Sequence, residues 1–178
     1  MVIPEFVKNK IDVFWDDEFR YLDYTQEEFN DPASIEKWKS QGFAEKFTGH
    51  MCDMRKPQPS WNQKFIDYFS HKGWKDIGTS YYRMDAGTIL PTHKDLYNRY
   101  VELHNLQGHE YWIFRAVIFL EDWKPGHYAE YGNNPMVSWQ AGDYVSWRYD
   151  YPHMAANVGI EPRYTRSEEH TSELQSRE

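Results

Sequence analysis

The chain has 178 residues, of which 18% are aromatic, and carries a formal net charge of −8. That length suits one domain with its own core, and the acidic balance argues against nucleic acid as a partner. A single cysteine, Cys52, excludes an internal disulfide framework. No apolar run is long enough to span a bilayer, and the start, MVIPEFVKNK, lacks a signal-peptide pattern. These features predict a soluble, cytoplasmic protein with no membrane partner.

Residues 1–30 alternate poorly, and VFWDDEFRYLDY (13–24) predicts an edge strand with a turn at Asp16-Asp17. Asp31 can then cap a helix that has Pro32 at its first position, Ile35 and Trp38 as its apolar stripe, and Gly42 as its end. Ser60 and Gln63 have capping-box spacing, and Trp61, Phe65, Tyr68 and Phe69 recur at helical spacing until Gly73. This second helix is expected to pack against a sheet.

From Trp74 the pattern changes to strands and turns. Residues 79–84 predict a strand, Asp85-Ala86-Gly87 a turn, and 88–95 a second strand. Pro91 confines that strand to an edge or an irregular stretch. Residues 96–110 are polar, hold His104 and His109, and predict a long loop that could act as a lid. YWIFRAVIFL (111–120) is the strongest buried strand; its lone charge, Arg115, must meet a carboxylate or line a polar pocket. Short strands at 128–131, 136–139, 143–148 and 153–157 follow, separated by Gly- and Pro-containing turns. This spacing predicts a mainly β sandwich or barrel with flanking helices, with Trp139 and Trp147 in its core.

The chemistry concentrates in two stretches. YYRMDAGTILPTHKD (81–95) ends in His93-x-Asp95, and residues i and i+2 of a strand share a face. In YPHMAANVGIEPRYT (151–165), His153 can add a second imidazole from a distant strand. Two histidines and one carboxylate leave coordination positions open, as non-haem Fe(II) oxygen chemistry requires. Arg163, ten residues after His153, is suited to gripping a carboxylate bidentately. Tyr82 and Arg115 are weaker candidates for touching a co-substrate, and His127, in a turn, is a competing histidine ligand.

The ordered set His93, Asp95, His153 and Arg163 resembles the Fe(II)/2-oxoglutarate-dependent oxygenases, in the manner of the prolyl and aspartyl hydroxylases. The resemblance spans residues 79–165. It implies a double-stranded β-helix, a jelly roll of the cupin type, with 1–73 as N-terminal support and 74–165 as the core. It also implies Fe(II) on His93, Asp95 and His153, with 2-oxoglutarate placing its C5 carboxylate on Arg163 and O2 as the oxidant. The implied reaction is hydroxylation of a carbon, in an amino-acid side chain (free or in a protein) or another small substrate, with release of succinate and CO2. A small molecule or a peptide is therefore the expected partner. Two readings stay open beside it: a cupin-type metalloenzyme that does not use 2-oxoglutarate, and a non-catalytic jelly-roll binding module.

The end of the chain stands apart. RSEEHTSELQS (166–176) has no apolar periodicity and resembles the translation of a sequencing-library adapter. Residues 166–178 are expected to be a non-native tail, leaving the strand that begins at Arg163-Tyr164-Thr165 truncated.

Overall fold

A computed structural model describes residues 6–28, 31–43 and 48–172. The N-terminal part holds β1 (Phe6–Lys10), a 3-10 turn (Asp17–Tyr21), β2 (Thr25–Glu28), α1 (Pro32–Ser40), β3 (Thr48–Asp53) and α2 (Asn62–Ser70). Then come β4 (Trp74–Met84), β5 (Thr88–His93), α3 (Asn98–His104), a second 3-10 turn (Glu110–Trp112) and β6 (Ile113–Phe119). The chain continues with β7 (His127–Tyr131), β8 (Asn134–Met136), β9 (Asp143–Arg148), β10 (His153–Asn157) and β11 (Arg163–Ser172).

The strands form two sheets, one of seven strands in the order β1-β9-β6-β11-β4-β3-β2 and one of four in the order β5-β10-β7-β8. Every pairing is antiparallel. This is the mainly β, double-stranded β-helix architecture that the strand pattern and the family resemblance anticipated. β5 lies at an edge of the smaller sheet, and Pro91 falls at the register shift in its pairing with β10.

Period-two alternation assigns each strand of the large sheet two different faces. Phe119, Val145 and Trp147 point toward the small sheet, where they pack with Ala129, Tyr131 and Met136. Tyr81, Ile118, Tyr144 and Tyr164 point the other way and pack with Phe65 and Phe69 of α2 and with Phe19. Helix α2 thus covers one face of the large sheet, leaving the other face and the small sheet to enclose the site. Among the described residues, no helix is long and apolar enough to cross a membrane.

Local signals held where neighbours did not compete. Asp31 caps α1 by accepting from Ala33 N–H, and Gly42 follows the helix at φ +87°. The capping box of α2 does not form: Ser60 donates both its N–H and its hydroxyl to Glu18, at 2.9 Å each. Residues 13–24 are not an edge strand. Asp16 instead accepts from Glu18 N–H and starts the 3-10 turn that buries Phe19. The expected loop 96–110 contains α3, whose polarity hides a small core contact, since Tyr100 and Val101 are buried against Leu106 and Ile113. The strand expected at 136–139 lies at Asn134–Met136, because Asn134 pairs with Tyr131 across the Gly132-Asn133 turn.

The last strand does not stop at Thr165. Arg166 to Ser172 continue β11 between β4 and β6 with ladder pairing on both sides. Backbone pairing satisfies N–H and C=O groups whatever the side chains are. The side chains fit the slot poorly: Arg166, Glu168 and His170 are buried on the α2 face, and several of their polar atoms lack a hydrogen-bond partner. Residues 173–178 of the expected tail lie outside the described residues.

Candidate metal centre

The register of β5 against β10 sets His93 directly opposite His153, with ring centroids 4.4 Å apart. Asp95 is not on the strand as expected, because β5 ends at His93 and the carboxylate sits in the loop before α3. Its position therefore depends on side-chain contacts rather than on the pleat. One donor atom from each of His93, Asp95 and His153 lies within 4.8 Å of the other two. His93 Nε2 is 3.7 Å from Asp95 Oδ1, and His153 Nε2 is 3.3 Å from Asp95 Oδ2.

The second nitrogen of each ring decides what these atoms can do. His93 Nδ1 is 2.8 Å from Pro91 O, and His153 Nδ1 is 3.1 Å from Tyr151 O. A carbonyl only accepts, so each Nδ1 carries a proton and each ring turns its Nε2 toward Asp95. Burial lowers the pKa of His93, which favours the neutral ring. With neutral rings, the two Nε2 lone pairs and the carboxylate converge at distances where a cation among them would relieve their mutual repulsion. Imidazole nitrogens with a carboxylate are donors suited to a divalent transition metal, so the residues present fit such an ion.

Burial by itself would raise the Asp95 carboxyl, but Arg115 and His153 hold it well below the usual carboxylate range. Arg115 Nη1 lies 2.7 Å from Asp95 Oδ2. Arg115 thus meets the carboxylate that its place in an apolar strand required. Its Nε donates to Ser167 Oγ at 2.8 Å and its Nη2 to the Tyr82 hydroxyl at 3.4 Å. Tyr82 is pushed up to about 12 by burial and stays a neutral phenol.

All six residues singled out from the sequence, His93, Asp95, His153, Arg163, Arg115 and Tyr82, line one cavity of about 590 Å³. That volume is in the range of small-molecule sites. Arg163, at the start of β11, is 9% exposed; its Nη1 donates to Tyr128 O at 2.9 Å and its Nε has no partner. Burial lowers its pKa. Among the described residues no carboxylate pairs with it, so the cavity holds a buried guanidinium without a counter-ion.

The competing histidine is elsewhere. His127 is buried with Nε2 at 3.0 Å from Glu161 O and does not line the cavity. Three contributors were not anticipated from the sequence. Tyr97 donates its hydroxyl to Asp95 Oδ2 at 3.1 Å, and the Tyr131 and Trp147 rings pack against His153 at 6.1 and 4.9 Å. Tyr131 of β7 and Trp147 of β9 line the cavity, but pattern alone marks such aromatics as core.

A Pseudomonas putida prolyl-4-hydroxylase superimposes with a TM-score of 0.54 at 13% identity, covering 88% of this chain and 96% of its own. A non-heme alpha ketoglutarate dependent carbocyclase from nogalamycin biosynthesis superimposes with a TM-score of 0.51 at 12% identity, covering 89% and 84%. The chain has the fold of these enzymes. No family model matches the sequence, and no curated protein matches it. At such identities the likeness speaks for the double-stranded β-helix, and the chemistry must be argued from the site itself.

Proposed function

We propose that this protein is an Fe(II)- and 2-oxoglutarate-dependent oxygenase that hydroxylates a carbon of its substrate and releases succinate and CO2. The substrate in this reading is an amino-acid side chain, free or in a protein, or another small molecule. One observation carries the proposal: a two-histidine, one-carboxylate donor set shares a cavity with a buried arginine that lacks a counter-ion. Iron bound by His93, Asp95 and His153 would supply activation of O2.

The chain's own residues do the rest. Pro91 O and Tyr151 O hold the two imidazoles in the tautomer that presents Nε2. Arg163 binds the C5 carboxylate of 2-oxoglutarate and so orients the co-substrate toward the donor set. Arg115, partly buried in the same cavity, is already engaged by Asp95. Tyr131 and Trp147 close the cavity beside His153 and exclude water from that side.

The test is an anaerobic visible absorption spectrum of the folded protein, recorded before and after Fe(II) and then 2-oxoglutarate. A metal-to-ligand charge-transfer band is expected, absent in His153→Ala and weak in Arg163→Ala. Iron binding without that band favours the cupin-type metalloenzyme. No iron binding removes the metal reading and leaves the binding module.

A further inference from the structure

The carboxylate of the donor set is held by protein donors outside that set. Arg115 Nη1 reaches Asp95 Oδ2 at 2.7 Å, and the Tyr97 hydroxyl donates to the same oxygen at 3.1 Å. Asp95 Oδ1 faces His93 Nε2 at 3.7 Å, while His153 Nε2 lies 3.3 Å from Oδ2. Both protein donors thus sit on Oδ2, and Oδ1 has neither of them.

The backbone shows that the Tyr97 contact is built in. Tyr97 has φ 52° and ψ 16°, a left-handed conformation that a residue with a Cβ adopts at a penalty of about 1–3 kcal/mol. That conformation ends the loop and begins α3, and it returns the phenol to the carboxylate two residues earlier. Arg115 has further contacts of its own. Its Nη2 donates to the Tyr82 hydroxyl, and from the segment expected to be non-native Ser167 accepts from its Nε and Glu169 Oε1 lies 3.7 Å from that nitrogen.

We propose that Arg115 and Tyr97 are positioning residues for the metal-ligating carboxylate. Together they keep Asp95 Oδ2 engaged by the protein, so that Asp95 offers one oxygen rather than two to the metal. This assigns Arg115 to the metal centre and not to the co-substrate, and it gives Tyr82 the task of steadying Arg115. Asp95 needs this support because it lies beyond the end of β5, where the pleat no longer fixes a side chain. The inference rests on the metal reading of the triad.

The test uses Co(II), whose d–d absorption responds to coordination number and geometry, titrated anaerobically into the full chain. Wild-type protein is expected to bind one equivalent, and His93→Ala to lose it. If wild-type protein binds no Co(II), the metal reading itself fails. Arg115→Gln is expected to weaken Co(II) binding by about 10–100-fold and to change the d–d spectrum, with partial recovery in Arg115→Lys. Tyr97→Phe removes only a hydroxyl, keeps the packing, and is expected to shift the spectrum in the same direction with a smaller loss of affinity. Unchanged Co(II) affinity and spectrum in folded Tyr97→Phe and Arg115→Gln overturn the proposal. So does loss of 2-oxoglutarate binding in Arg115→Gln with Co(II) binding intact.

Discussion

Replacing Arg163 by leucine should have opposite effects on the free and the co-substrate-bound protein. In the free protein the guanidinium is buried with a single hydrogen bond, to Tyr128 O, and without a carboxylate. Burying an ion has an effective penalty of several kcal/mol, of which a charged hydrogen bond returns about 1.5–3 kcal/mol. Arg163→Leu is therefore expected to stabilise the free protein by about 1–3 kcal/mol, or roughly 2–12 °C in Tm for a chain of this size. In the wild type, 2-oxoglutarate at 100 times its Kd should add about 2.7 kcal/mol. Without the cation, the buried C5 carboxylate loses about 3–5 kcal/mol of binding, and the ligand-induced shift at the same concentration falls close to zero. Differential scanning calorimetry with Mn(II) as a redox-quiet metal reads both effects. An Arg163→Leu variant that is less stable than wild type when free, yet gains the same Tm shift from 2-oxoglutarate, would refute the reasoning.

Three further outcomes follow from the packing. Arg166 and Glu168 form a fully buried ion pair with unsatisfied polar atoms. Replacing both, as Arg166→Met with Glu168→Leu, should stabilise the fold by about 1–4 kcal/mol in urea denaturation, whereas Glu168→Leu alone should destabilise it. His170, stacked on Trp74 with ring centroids 3.5 Å apart, has its pKa lowered to about 3 by burial, from an ordinary value of 6.5. The unfolded chain therefore binds this proton first. Its contribution is complete above about pH 7 and falls by about 1.4 kcal/mol per pH unit on acidification below 6.5, a slope that His170→Phe should remove from the pH dependence of the urea midpoint. Gly126, at φ +91°, crosses the backbone of Gly159 so closely that a Cβ would lie 2.2 Å from Gly159 N. Gly126→Ala should therefore lose about 2–4 kcal/mol by the same assay.

How far the site was legible depended on which forces act locally. His93 and His153 could be read because strand flanks and residue type identified them, and antiparallel register did the rest. Arg115 announced an ion pair by being the lone charge in an apolar strand, but its partner is 20 residues away and no pattern named Asp95. The Asp95 contacts were hidden for the same reason. They depend on a left-handed turn at Tyr97, and tyrosine carries no sequence signal for that conformation. α3 was hidden because only Tyr100 and Val101 of its seven residues are buried, too few for a periodic stripe. The capping box of α2 failed to a tertiary competitor, Glu18, 42 residues away. β11 ran past its expected end because a slot between two strands demands backbone partners more strictly than it demands apolar side chains.

The most direct measurement is anomalous diffraction at the iron edge from a crystal grown anaerobically with Fe(II) and 2-oxoglutarate. The account predicts a single strong peak within bonding distance of His93 Nε2, His153 Nε2 and one oxygen of Asp95, with the co-substrate running from that peak to the guanidinium of Arg163. A peak at other residues, or 2-oxoglutarate bound with its far carboxylate away from Arg163, would contradict it.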